Sequence, residues 1–211
     1  MHELTITRDY RGGETERIAV ALRQGSVIIL PASTIYGISC IYYDKEAVER
    51  VYRIKKRHSS MPFIVLISRI RQLDLLVSGV GSLGRKILQK YWQKEDPRPL
   101  TLVFRKSTSL PPGITGGRDT VAVRMAGIRA VRNIIDISGP LISTSANLSG
   151  QKTDPASIED IPEEIRSSVD MIVRLKGRLE GRPSTIVDVT GERPSLIREG
   201  PLGFDDILED I

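Results

Sequence analysis

Cysteine and histidine are nearly missing from this chain. In 211 residues there is one cysteine, Cys40, and two histidines, His2 and His58. A lone cysteine forms no internal disulfide, which fits a reducing compartment. So few soft ligands do not make a zinc site of the usual N/S type, and no metal ligands are assigned. Two imidazoles leave little for a Ser-His-Asp triad, and no serine sits in a G-x-S-x-G elbow. Aromatic residues are scarce at 5%, with one Trp, three Phe and six Tyr. They form no spaced platform for stacking single-stranded bases. No apolar run approaches the roughly 18 residues of a membrane-spanning helix. The opening stretch MHELTITRDYRGGETER has no apolar core of a secretory signal. The expectation is a soluble, cytoplasmic protein with no membrane partner.

Charge of one sign is not extreme either. Lys and Arg total 31 against 26 acids, for a net charge of +5. This favours anionic partners such as nucleotides or RNA. Arg53, Lys55, Lys56, Arg57 and His58 fall within six positions with no acid among them. A solvated helix end, where cations suit the negative pole of the macrodipole, explains such a run equally well.

What is present is a regular alternation of strands and helices. ELTITR, residues 26–30, 37–43, 63–67, 100–106, 120–126 and 140–144, MIVRL, STIVDV and SLIRE read as strands, most of them β-branched and apolar. Residues 15–23, the stretch after Asp44, 68–77, 82–92, 128–137 and 157–168 read as helices. The loop 107–119 separates two strands. No repeat or low-complexity linker interrupts the pattern. The expectation is a single α/β domain over 1–211 with a mixed, largely covered sheet.

GVGSLG at 79–84 matches G-x-G-x-x-G, but no long strand precedes it and no acid follows at the needed distance. A turn between two helices accounts for it. Cys40, in mid-strand, reads as a small core residue. The stretch PLISTSANLSG is more telling. A buried strand ends in Ser143, Thr144, Ser145 and Asn147. Elsewhere, Thr34 follows one strand, Lys55 and Arg57 close a helix, Arg124 interrupts an apolar strand, Ser184 opens a strand and Arg198 closes one. Singly, each is open to a plain reading: Thr34 and Ser145 as turn or cap residues, Arg124 and Arg198 as snorkelling or paired side chains. Together they put cations and hydroxyls at strand ends, where α/β sheets bind ligands. Arginine and lysine there suit phosphate or carboxylate.

Six ordered stretches resemble the YrdC/TsaC family of threonylcarbamoyl-AMP synthases. PASTIYGISC is similar to P-T-E-T-V-Y-G-L, and RIKKRHSSMPFIVLI to K-G-R-P-x-x-N-P-L-I-V-H-I. RPLTLVF, TVAVRMA, PLISTSANLSGQ and PSTIVDVT follow in family order. The resemblance implies a twisted mixed parallel/antiparallel sheet with helices around a basic cavity, in the single-domain form of the family. It implies that L-threonine, bicarbonate or CO2 and ATP give threonylcarbamoyl-AMP and pyrophosphate. That product feeds N6-threonylcarbamoyladenosine formation at tRNA position 37 through a separate carbamoyltransferase. Lys55, Arg57 and Arg198 would meet ATP phosphates, with Thr120, Ser145, Asn147 and Thr153 as further nucleotide contacts. Lys55, Arg57, Ser145 and Asn147 would be the catalytic set. Thr34, Arg124, Ser143 and Ser184 would hold threonine, and Mg2+ would travel with ATP. Two alternatives stand beside it: a module binding tRNA or double-stranded RNA without chemistry, and a YciO-like paralogue with altered substrate. The sequence departs from the family pattern at Met61, where the family has Asn, at Leu66, where it has His, and at Ser33, where it has Glu. It departs also in WQKEDPRPLT. Methionine and leucine cannot replace the lost hydrogen bonds.

Overall fold

Short β-branched segments, most of them buried on both faces, decide the architecture. The structure is a computed structural model and describes residues 2–10, 12–151 and 154–211. In chain order its elements are β1 (His2–Ile6), α1 (Gly13–Arg23), β2 (Ile28–Pro31), β3 (Tyr36–Ile41), α2 (Lys45–Lys55) and β4 (Ile64–Ile67). A 3₁₀ segment (Ile70–Leu75) leads to α3 (Ser82–Tyr91), β5 (Leu100–Arg105), α4 (Pro112–Thr115), β6 (Thr120–Met125), α5 (Arg129–Ser138) and β7 (Leu141–Ser145). A 3₁₀ turn (Ile158–Asp160), α6 (Glu163–Arg166), β8 (Met171–Leu175), β9 (Thr185–Asp188), β10 (Ser195–Arg198) and α7 (Phe204–Glu209) complete the chain.

One ten-stranded sheet runs in the order β1-β8-β2-β3-β7-β4-β6-β5-β9-β10. The pairs β1/β8, β2/β8, β4/β6 and β5/β9 are parallel, and the others are antiparallel. The expected mixed α/β sheet is therefore present. Strands β2 and β3 are buried along their whole length, as their largely apolar sequences favour, with Ser39 of β3 hydrogen-bonded to Ser143. Helices α1 and α5 cover the sheet with Ile18 and Leu22, and with Val131, Ile134 and Ile135. Asp44 caps α2 by accepting from the Ala47 amide at 3.0 Å, and Val48 and Val51 face inward. Cys40 lies in this core, and burial pushes its thiol pKa up, so it is the inert core residue its position suggests.

Two helical expectations are corrected. Residues 157–168 are not one helix. Pro162 lacks an amide hydrogen and drives Ile161 to an extended ψ of 127°, so the segment splits into the 3₁₀ turn and the one-turn α6. Residues 68–77 hold a 3₁₀ helix rather than an α-helix. Two elements carried no readable signal. Helix α4 is a single turn with proline at its start, inside the segment read as loop, and α7 is six residues long. GVGSLG is not a turn between two helices: residues 79–81 run without turn or helix into α3, with Gly81 extended at its N-cap, and 82–84 are the first residues of that helix. Among the described residues no helix is long and apolar enough to cross a membrane.

Candidate functional site

Helix α2 ends in a left-handed residue, Lys56 at φ 49°, and that turn sends the side chains on either side of it to different places. Lys55 goes beneath the loop that follows β7. Its ammonium donates to the Ser145 carbonyl at 2.6 Å, the Asn147 carbonyl at 2.5 Å and Asn147 Oδ1 at 2.9 Å. The residue is 2% exposed. Burial, and next the Arg57 charge, lower its pKa to about 7, with Asp154 opposing. Its three donors are all engaged. Lys55 thus props the Ser145–Asn147 turn from below and is absent from the cavity wall above it. Ser145 Oγ completes the turn by donating to Asn147 Oδ1 at 2.7 Å.

Arg57 goes the other way, across the floor of a cavity of about 350 Å3. It donates to Thr144 Oγ1 and to the Pro62 carbonyl, both at 2.7 Å, and lies 5.3 Å from the centre of the Phe63 ring. Its Nε is buried with no partner, and burial lowers its pKa.

Strand β6 supplies the most unusual group. Ala122 and Arg124 alternate onto the cavity face. Arg124 is 4% exposed. Its two terminal nitrogens reach Thr34 Oγ1 only at 3.4 and 3.5 Å, and its Nε has no partner. Burial, then repulsion from Arg198, lowers its pKa to about 10, with Glu180 opposing. A buried guanidinium with no carboxylate against it is costly, and an anion is what would satisfy it. Arg198, at the end of β10, donates through Nε and Nη2 to the Ser184 carbonyl at 3.0 and 2.8 Å. Ser184 Oγ shares a bond of 2.8 Å with Thr101 Oγ1, and Ser143 Oγ accepts from Ser39 Oγ at 3.2 Å. Gly37 makes room for Ser143: a Cβ on it would fall 2.5 Å from Ser143 Oγ. Thr34 follows Ser33, a non-glycine residue held at φ 76°, whose hydroxyl accepts from the Gly127 amide at 2.7 Å.

The structure thus gathers Arg57, Arg124, Ser143, Ser145, Ser184 and Arg198 onto one cavity wall. Thr34 touches that wall through Arg124, and Lys55 and Asn147 stand behind it. Thr120 shares the face of Ala122 and Arg124, but it lies at the first position of β6, short of the cavity. Thr153 falls outside the described residues. Two charged lining residues were not anticipated, Arg118 and Asp154. Arg118 comes from the segment read as plain loop. Gly116, at φ 60°, lets that loop approach so closely that a Cβ would sit 2.2 Å from the Ser60 carbonyl. Two of the departures from the family pattern, Met61 and Leu66, also reach the cavity. Met61 lies at its mouth, 48% exposed, and Leu66 in its wall, 2% exposed. Among the described residues the charged lining amounts to four arginines and one carboxylate. That set can grip phosphates and a carboxylate at once.

The Sua5–YciO–YrdC family model, described as "Telomere recombination", matches residues 20–200. The chain is 34% identical over 193 residues to a threonylcarbamoyl-AMP synthase of Pyrococcus abyssi, covering 90% of this chain and 55% of that protein. It is 34% identical over 180 residues to the threonylcarbamoyl-AMP synthase of Pseudomonas savastanoi, covering 84% of this chain and 94% of that one. A crystal structure of P. abyssi Sua5 complexed with L-threonine superimposes with a TM-score of 0.89 at 31% identity, over 100% of this chain and 61% of that one. E. coli YciO matches in fold, with a TM-score of 0.81 at 24% identity over 96% of this chain and 98% of that one. The chain spans about half the length of the Pyrococcus relative and of a Bacillus subtilis one.

Proposed function

The chain belongs to the Sua5–YciO–YrdC family, and on that premise we propose that it is an L-threonylcarbamoyladenylate synthase. It would join L-threonine, bicarbonate and ATP into threonylcarbamoyl-AMP and pyrophosphate, as a single domain over residues 1–211 in the cytoplasm. A separate transferase would carry the threonylcarbamoyl group to tRNA. The observation that supports this most is the pairing of two neighbouring anion sites in one cavity. One is the buried Arg124, which has no anionic partner, with Ser143 and Ser184 beside it. The other is Arg57 with the Ser145 turn that Lys55 supports.

In this reading Arg124 takes the threonine carboxylate, and Thr34, Ser143 and Ser184 orient the rest of the amino acid. Arg57 and Arg198 take phosphates. Ser145 faces the nucleotide, while Asn147 and Lys55, behind the wall, hold its turn in place. The amine displaces hydroxide from bicarbonate, and the carbamate oxygen then attacks the α-phosphorus as pyrophosphate leaves. No side chain becomes covalently attached. Positioning and charge stabilisation carry the reaction, since the negative charge that moves to the leaving phosphates develops among fixed guanidiniums. Among the described residues no cluster of three metal-ligating side chains exists, and one carboxylate among four arginines does not fit a protein-held divalent ion. Magnesium would therefore enter with the ATP, held by phosphates and water.

The test is pyrophosphate release from ATP and bicarbonate with and without L-threonine, together with detection of the mixed adenylate. Threonine-dependent release is expected. Release that threonine leaves unchanged, from folded protein, would sink the synthase reading. A second reading, the paralogue with another amino acid as substrate, is favoured by Leu66. An apolar side chain in that wall prefers an apolar partner over a hydroxyl. A panel of amino acids in the same assay separates the two.

A further inference from the structure

Among the described residues, Asp154 is the one carboxylate on a cavity wall that carries Arg57, Arg118, Arg124 and Arg198. Among the described residues it has neither an ion pair nor a hydrogen bond. The charges it feels are Arg198 on β10 and Lys55 on α2. It lines the same cavity as Arg124 and Arg198 at one part and Ser145, on the turn that Lys55 supports, at another. Burial raises its pKa, and the two cations pull the other way.

An unpaired carboxylate here is a liability for phosphate binding, because like charges repel. It makes sense if some ligand group is cationic. Magnesium would arrive already held by phosphates and water, which leaves the α-ammonium of the amino acid as the cationic group for a protein carboxylate. Resting on the synthase reading above, we propose that Asp154 receives the α-ammonium of the amino-acid substrate and takes its proton. The groups around that ammonium are Lys55, Arg57, Arg118, Arg124 and Arg198. The four guanidiniums on the wall disfavour a charged amine, so the neutral nucleophile is favoured once its proton has a carboxylate to go to. The amine lone pair then forms the C–N bond to bicarbonate. The C–OH bond breaks, and the departing hydroxide takes the second amine proton and leaves as water. The product is the carbamate anion, and Asp154 returns the first proton to solvent.

The test compares wild type, Asp154→Asn and Asp154→Glu by threonine-dependent pyrophosphate release, from about pH 7 to about pH 9.5. At the low end Asp154→Asn is expected to raise the KM for L-threonine about tenfold or more. The KM for ATP should stay unchanged or fall, since the carboxylate removed only repels phosphate. The deficit should shrink as pH passes the pKa of the free amino acid's amine, because solution then supplies the neutral form. Asp154→Glu, which keeps the carboxylate, should recover part of the loss. A deficit equal at every pH, or no deficit, in an assay where wild type is active would overturn the role of Asp154 alone. Wild type that itself ignores threonine would overturn the synthase reading instead.

Discussion

A buried guanidinium with one long contact to a hydroxyl gives little back to the folded state for the hydration it loses. Arg124→Met should therefore leave the melting temperature unchanged or raise it. The same change should weaken L-threonine binding about ten- to hundredfold, the worth of a charge-assisted pair. Calorimetric titration and thermal unfolding on the same samples check both halves. A variant that melts lower with threonine affinity intact would refute the assignment. Lys55 has the opposite balance. Its ammonium satisfies three oxygens, so Lys55→Met strands buried acceptors and should cost about 2–4 kcal/mol. Its pKa is about 7 in the folded chain against 10.5 ordinarily. Between those values the unfolded chain binds the extra proton, so this residue's contribution to stability rises with pH across that window. Denaturant titrations of wild type and Lys55→Met should show the gap between them widening from pH 7 upward.

At the scale of elements, the site depends on how closely β3 and β7 pass. Gly37→Ala would push a methyl toward Ser143 Oγ at 2.5 Å and the Thr144 carbonyl at 3.1 Å. A loss of about 1–3 kcal/mol is expected, with a fall in threonine affinity as Ser143 moves. Urea denaturation and threonine titration read the two effects. Ser145→Ala probes the turn itself. It should cost about 1 kcal/mol and also weaken ATP binding, whereas a plain capping serine would cost stability alone. The strands were legible because each is a compact β-branched run, and β7 was legible together with its polar mouth. The helix over 157–168 was misread because Pro162 breaks a pattern whose apolar spacing otherwise suits a helix. Arg57, Arg124 and Arg198 stood out as cations beside or inside apolar elements. Arg118 and Asp154 did not, since each is one charged residue in a loop, and only the packing of Gly116 against Ser60 and the return of the chain after β7 bring them to the cavity. Lys55 was legible as a cation near the site. That its donors are spent on backbone carbonyls was not, because those carbonyls lie some 90 residues away in sequence.

For the whole molecule, an arginine-lined cavity means that anions should stabilise the fold by binding it. ATP at about a hundred times its Kd adds about 2.7 kcal/mol, which for a chain of this length raises the melting temperature by about 5–10 °C. Arg57→Ala and Arg198→Ala should each blunt that rise, and added salt should blunt it as well. A melting curve indifferent to ATP and pyrophosphate would argue against nucleotide binding in this cavity.

The strand order has a consequence for how the chain is made. Strand β1 pairs only with β8, and β8 also lies between β1 and β2. On a ribosome adding about 5–20 residues per second, His2–Ile6 must wait about 10–30 s for Met171–Leu175 to emerge. Until then both β1 and the outer edge of β2 offer unpaired backbone to any passing strand. Cavity-lining residues run from Ala32 to Arg198, so the pocket too closes late. A chain stalled before β8 would have six of its ten strands joined, no finished cavity, an unpaired β1 and open edges at β2 and β5. Such nascent chains are natural clients for a holding chaperone.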